Sequence, residues 1–404
     1  MQEGPRFSAL YVRDFRLFWL SQVISLSGTW MHSVAQSWLV YSLTKSPLSL
    51  GIIASLSSLP ILLFTLLGGT VADRYPKRNI LIVTQFLALL SALVVGVLAD
   101  TRIITVWHIG VIACFLGTVN AFDIPTRQSF VAEVVTKADI TNAIALNSAA
   151  FNGARIIGPV IAGLLIAHVS IPVCFYANSA SFIPVIIALS MIRARSAAAA
   201  SDRSFLRDIA LGWDFVTRER PVFFIMCLIA VFSLFGIPYV TLLPVLAGEI
   251  LEAGAKGLSF LVASGGTGSL LGALTIAFKG EIGRKDVFIP AAAIVFSLGI
   301  FGLSYSSSLP VSMALIFTAS WGITSFLATG NSFIQNAVPD ALRGRVMSLY
   351  TFVFLGFAPL GNSLIGIVAD GLGTVVSLKA FSVLCILGSV IFTSMFRRHM
   401  RTGT

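Results

Sequence analysis

The chain has 404 residues and a formal net charge of +10, yet only 11% of its residues are charged and 56% are hydrophobic. A soluble domain carries about 25% charged residues, so this composition excludes a soluble globular class. Apolar runs of about 20 residues, the length that crosses a bilayer as a helix, recur from end to end. They do not alternate as barrel strands would.

Twelve spans are predicted in chain order, over 16–42, 47–72, 80–100, 104–124, 140–169, 171–192, 221–246, 257–279, 286–306, 309–336, 344–370 and 374–396. Backbone groups in hydrocarbon must be satisfied within their own segment, so these are helices. No small-residue cleavage site follows a short first run, so a removable signal is not expected. With the N-terminus in the cytoplasm, 22 of the 27 Lys and Arg fall on inner segments and four on outer ones, with Arg155 inside a span. That asymmetry is the positive-inside pattern, so the basic excess reports topology and needs no nucleic acid. The expected location is a bacterial plasma (inner) membrane, multi-pass, with both termini cytoplasmic.

Residues 1–192 and 221–404 form six spans each, and 193–220 link them. Within the linker Phe205, Ile209, Trp213 and Val216 share one helical face, which suits either a helix lying on the inner surface or a solvated linker helix. The halves echo each other. "SFVAEVVTKA" (129–138) matches "SFIQNAVPDA" (332–341), each between the fourth and fifth span of its half. Pro159 and Pro359 then sit at similar depth. Cys114, Cys174, Cys227 and Cys385 lie apart in apolar runs without metal-ligand spacing. No Walker-type phosphate loop, paired acid or nucleophile–base set is present. No cofactor, metal or enzymatic activity is expected.

One charged stretch breaks the apolar pattern: "GGTVADRYPKRN" (68–79), with Asp73, Arg74, Lys77 and Arg78 after Gly68 and Gly69. Asp73 lies at the C-terminal end of its span, where the helix dipole disfavours a carboxylate, so it needs a partner. The start of span 11, with Arg343 and Arg345, lies on the same face, and glycines let backbones approach. Lys77 or Arg78 could reach Asp123 at the inner end of span 4. The plainer reading is a positive-inside loop with a turn-capping aspartate.

Six plus six spans in parallel halves is the pattern of the major facilitator fold. The charged loop resembles that superfamily's Gly-x-x-x-Asp-Arg-x-Gly-Arg-Lys signature at Gly69, Asp73, Arg74, Lys77 and Arg78, departing at Pro76. "KGEIGRK" (279–285) resembles a worn second copy, with Gly280 in the aspartate position. The resemblance implies an inner latch made by this loop with Asp123, Arg343 and Arg345. "ARIIGPVIAG" (154–163) resembles the antiporter motif Gly-x-x-x-Gly-Pro-x-x-Gly-Gly, with Gly158, Pro159 and Gly163 matching and Ala154 and Ala162 in place of glycine. Proline there bends the helix. Over its length the chain resembles the drug-resistance and siderophore-export branch, including enterobactin exporters, through "RDFRLFWLSQVISLSGTWMHSVAQSWLVYSLTKSPLSLG" (13–51) and "AFDIPTRQSFVAEVV" (121–135).

Span 1 carries Gln22, Ser25, Thr29, His32 and Gln36 at alternating steps of three and four, one polar face. Span 5 adds Ser148, Asn152 and Arg155; span 7 offers Phe235 and Tyr239; span 10 offers Trp321, Thr324, Asn331 and Gln335. A polar face in hydrocarbon points to protein or to a watery cavity. The resemblance puts spans 1, 4, 7 and 10 around such a cavity. Arg155 is either an anchor for anionic cargo or a structural contact. The leading expectation is a monomeric, proton-coupled exporter of small organic molecules working by alternating access, in contact with membrane lipid, with Asp123 or His32 as proton carrier. Alternatives are a lysophospholipid or lipid translocator and a non-transporting sensor or scaffold.

Overall fold

A computed structural model describes residues 8–192, 213–279 and 283–402. Among them the regular structure is helical. A 3-10 turn at Ser8–Tyr11 precedes α1 (Arg13–Thr44), α2 (Pro47–Arg74), α3 (Lys77–Asp100), α4 (Val106–Glu133), α5 (Ile140–His168) and α6 (Ile171–Met191). Then follow α7 (Arg220–Ile250), α8 (Gly254–Lys279), α9 (Lys285–Leu303), α10 (Leu309–Ala337), α11 (Asp340–Leu372) and α12 (Thr374–Thr402). Among the described residues, eleven of these are long and apolar enough to cross a bilayer; α1 is long enough, and its polar residues lower its hydropathy. The chain is an all-α membrane protein among the described residues. Residues 213–218 are helical, with Trp213 exposed and Val216 buried. Phe205, Ile209 and Gly280 lie outside the described residues.

Two helices depart from their expected form. α4 runs to Glu133, nine residues beyond the expected end. Its charges at 123 and 127 pair with each other, so they do not end the span. α7 is not a regular helix. It is α over Arg220–Val231, then passes through π and 3-10 turns to Ile250. Pro238 and Pro244 each remove a backbone donor, and the chain changes its hydrogen-bond step around them.

Contacts divide the chain into two compact units. One holds α1, α2 from Leu56 onward, and α3 to α6; the other holds Lys45–Ser55 together with α7 to α12. The sequence places the boundary in the linker alone, yet the first residues of α2 group with the second unit.

In the first unit α1 packs against α5 and α6, and α3 against α4 and α6. Phe15, Phe18 and Phe130 are fully buried, and the Phe18 and Phe130 rings meet edge to face at 5.2 Å. Trp19 Nε1 donates to the Leu146 carbonyl at 2.9 Å, tying α1 to α5. The turn before α1 docks on α5, where the Ala9 amide donates to Asn142 Oδ1. Hydrogen bonds from Ser8 and Thr136 hold the Asp139 carboxyl below the usual carboxylate range.

The second unit repeats the pairing: α7 packs on α11 and α12, and α9 on α10 and α12. Phe232 at the π turn of α7 is fully buried against Phe296 and Phe326, at 4.8 and 5.3 Å.

The small residues of "ARIIGPVIAG" set the α1–α5 distance. A Cβ built on Gly158 would stand 2.5 Å from the Ser27 carbonyl oxygen and 2.7 Å from Trp30 Cβ. Ala154 and Ala162 are buried at 1% and 0% exposure. Gly158→Val should therefore destabilise the protein by about 1–3 kcal/mol through overpacking. Gly153→Ala, whose new methyl meets open space, should leave the melting temperature in detergent unchanged or higher. Equal melting temperatures for Gly158→Val and the native protein would remove the close-packing account.

Candidate functional site

The charged residues of the first unit form two tiers where α3 and α4 run side by side. At the ends, Lys77 opens α3 and Glu133 closes α4, and they form an ion pair. Each alone opposes its own helix dipole; together they neutralise both. Lys77 is buried. Arg78 turns the other way, its NH2 donating to the Ser190 carbonyl at 2.8 Å, on the last turn of α6. The basic residues of the loop thus staple the start of α3 to the ends of α4 and α6.

Deeper in α4 lies the second tier. Asp123 is 3% exposed. Its Oδ1 accepts from Thr84 Oγ1 and Gln85 Nε2, both at 2.8 Å, from α3. Its Oδ2 pairs with Arg127 one turn on, at 3.1 Å. Arg127 NH1 in turn donates to Gln22 Oε1 of α1 at 3.2 Å. One network joins α1, α3 and α4 in the interior of the unit. Gln22 Nε2 and Gln85 Oε1 are buried without a hydrogen-bond partner among the described residues. Leaving such a group unsatisfied costs about 1–3 kcal/mol.

This arrangement departs from the expected pairings. Neither Lys77 nor Arg78 meets Asp123, because α4 continues for ten residues past it, about 15 Å at the helical rise. Asp123 is therefore an interior group and not a helix-end one. Asp73 and Arg74 are exposed at the end of α2. Gly68, not Gly69, makes the close backbone contact, against the Ala121 carbonyl of α4; Gly69 faces open space. Arg343 donates from Nε to the Gln335 carbonyl at 3.2 Å, and Arg345 is half-buried.

The polar face of α1 divides. Gln22, Ser25 and His32 are buried, Gln36 is half-buried and Thr29 is exposed. His32 Nε2 and Gln36 Oε1 are 3.1 Å apart, and the imidazole lies edge-on to Phe175 of α6 at 4.8 Å. On α5, Asn152 Nδ2 donates to the Ser148 carbonyl at 2.9 Å. Arg155 is half-buried, its guanidinium 5.4 Å from the Trp30 ring centre, a cation–π distance.

In the second unit Phe235 packs edge to face on Phe381 at 5.4 Å, and Tyr239 is buried. Trp321 Nε1 donates to Thr275 Oγ1 at 3.1 Å, in an open apolar groove of 430 Å³ between α8 and α10 that also includes Leu271, Phe278 and Phe317. Thr324 is half-buried. Gln335 Nε2 donates to Asn331 Oδ1 at 2.5 Å. Among the described residues, no three His, Cys, Asp or Glu side chains are grouped to hold a metal.

A family model described as "Transmembrane secretion effector" matches residues 5–402. The chain belongs to this family of major facilitator transporters. Its relatives within the superfamily include the staphyloferrin A transporter of Staphylococcus aureus, 26% identical over 92% of this chain and 94% of that protein. The multidrug efflux pump Tap of Mycolicibacterium fortuitum is 26% identical over 90% and 91%. Macrolide efflux protein A of Streptococcus pyogenes is 21% identical over 89% and 90%. The fold matches a point mutant of the nucleoside transporter NupG with a TM-score of 0.77 at 14% identity, covering 95% of this chain and 99% of that one. It also matches a bacterial homologue of the lysosomal transporter Spinster, with a TM-score of 0.75 at 12% identity, covering 99% and 98%. As a member of the transmembrane secretion effector family, the chain is a multi-pass membrane transporter of small molecules and not an enzyme.

The α3–α4 staple has a direct test. Lys77→Glu or Glu133→Lys alone places like charges together in a nearly buried site and should cost about 3–5 kcal/mol. The double exchange restores opposite charges and aligns both with their helix dipoles. It should recover the native melting temperature in detergent; a double variant as unstable as the singles would rule the staple out.

Proposed function

We propose that the protein is a secondary active exporter of small organic molecules, working by alternating access and driven by proton entry at Asp123. Full-length relatives named for siderophore transport, multidrug efflux and macrolide efflux support the direction and the cargo class. The observation that carries the coupling is the Asp123–Arg127 pair inside the bundle. Asp123 is the one buried carboxylate among the described residues. An ionisable pair inside a membrane span is costly to keep and is a default functional site.

The chemistry follows from the contacts. A proton on Asp123 Oδ2 removes the charge that holds Arg127. Arg127 is the group that reaches Gln22 on α1, so loss of the pair is felt on the polar face of α1. The unsatisfied Gln22 Nε2 donor and Gln85 Oε1 acceptor are available to water or to a polar cargo group once the network loosens. Asp73, with Arg343 and Arg345, forms the inner latch that holds the cytoplasmic side shut during the cycle. In this reading both termini face the cytoplasm, which the cation asymmetry supports.

Fluorescent amphiphile efflux should be measured from cells making the native protein, with and without a proton uncoupler. Efflux is expected above the empty-vector level and lost on uncoupling. Efflux that persists after uncoupling would overturn proton drive; absence of any efflux across a panel of siderophore and drug probes would favour a lipid translocator or a sensor. Asp73→Asn, at native abundance, should slow turnover more than it weakens cargo binding.

A further inference from the structure

The groove between α8 and α10 lies wholly within the second unit. Its α8 wall runs from Leu271 to Phe278, and the helix ends at Lys279. At the helical rise that wall reaches about 12 Å from the helix end, against about 15 Å for one leaflet of hydrocarbon. The groove therefore has the depth of one leaflet's acyl chains. Leu271 is 43% exposed and Phe278 85% exposed, so the wall is open to its surroundings. The polar side chains that line it already use their donors within the protein. Trp321 Nε1 donates to Thr275 Oγ1, Thr275 Oγ1 to the Leu271 carbonyl at 2.7 Å, and Thr318 Oγ1 to the Ala314 carbonyl at 2.8 Å. An occupant finds apolar surface and no donor, which suits hydrocarbon better than a polar solute.

Positive charge lies at one end. α9 reaches the groove through Phe288, whose ring centre is 6.4 Å from that of Trp321. Lys285, the first residue of α9, precedes Phe288 by three residues and so lies on the same face, one turn nearer the helix start. Arg284 comes just before it. Arg284 is exposed and Lys285 half-buried. Asp286 is the acid beside them: its Oδ2 is 3.8 Å from Arg284 NH2, and its backbone carbonyl accepts from Arg397 Nε at 3.5 Å. Three cations thus stand with one carboxylate. A cation at a helix start opposes the dipole, so the stability of α9 does not call for Arg284 or Lys285. α8 ends and α9 begins on the same side of the membrane, which puts these cations at the headgroup end of the groove.

We propose that the groove holds one acyl chain of an anionic phospholipid whose phosphate sits at Arg284 and Lys285. Hydrocarbon surrounds the protein on all sides, so the groove fixes where the chain lies and the cations select the headgroup. Each cation near the surface favours an anionic lipid roughly fivefold. The site is independent of cargo, of proton coupling and of the transport cycle.

Trp321 reports occupancy directly. The chain holds six tryptophans, so its signal is the fluorescence of the native protein less that of Trp321→Phe, both purified in non-ionic detergent. Phosphatidylglycerol with brominated acyl chains should quench that signal at a concentration about 25-fold lower than brominated phosphatidylcholine, the combined effect of two cations. Arg284→Gln with Lys285→Gln, folded by gel filtration, should bring the two lipids together. Equal quenching of the native protein by both lipids would overturn the headgroup site, as would undiminished preference in the glutamine double variant. No quenching of Trp321 by either lipid would overturn the acyl-chain site. A Trp321 signal that responds to a drug amphiphile and to neither lipid would likewise refute the proposal and assign the groove to cargo.

Discussion

A carboxylate buried among apolar helices is tolerable only while donors surround it, and Asp123 has three: Thr84, Gln85 and Arg127. That requirement organises the first unit. α3 must lie beside α4 to bring two of the donors, and α1 must lie close enough for Gln22 to engage the far side of Arg127. Removing one partner of a buried pair costs about 3–5 kcal/mol, because the other charge is left uncompensated. A charged pair that joins three helices in this way ties their packing to its own integrity.

The two tiers of charge serve different ends. Lys77–Glu133 lies at helix termini, where it offsets two unfavourable dipoles, and Arg78 satisfies a carbonyl at the end of α6. These contacts fix where α3 begins. The Asp123 network lies further in, away from helix ends, and has no dipole to offset. Both tiers keep buried atoms without a hydrogen-bond partner among the described residues: Gln22 Nε2 and Gln85 Oε1 in the inner one, Arg78 Nε and Glu133 Oε2 in the terminal one. Gly68 admits the α4 backbone at Ala121, two residues from Asp123, and Gly158 admits the α1 backbone at Ser27.

Much of this is legible in the sequence. Apolar run length predicts twelve helices, and small residues around Pro159 suit close packing on a neighbouring helix, which Gly158 makes with α1. The Asp123–Arg127 pair escapes a reading that ends span 4 at 124, which makes one residue a helix terminus and the other a loop cation. The i, i+4 spacing within "DIPTR" is the available signal. Glu133 escapes notice as the partner of Lys77 because pairing across 56 positions depends on helix register, which hydropathy does not report. The division of α2 at Ser55 has no local signature either; it depends on which helix lies beside Gly51. The polar face of α1 reads as one stripe, but its residues meet different neighbours: Gln22 reaches Arg127 of α4, His32 meets Phe175 of α6, and Thr29 is exposed.

The central claim is that Asp123 couples proton movement to the helices around the transport path. The most direct measurement is cargo movement in proteoliposomes by the Asp123→Asn protein, which keeps an acceptor for Thr84 and loses the titratable charge. Cargo exchange without a pH gradient should continue, while accumulation against a concentration gradient driven by an imposed pH difference should vanish. Undiminished uphill accumulation by the asparagine variant would contradict the account.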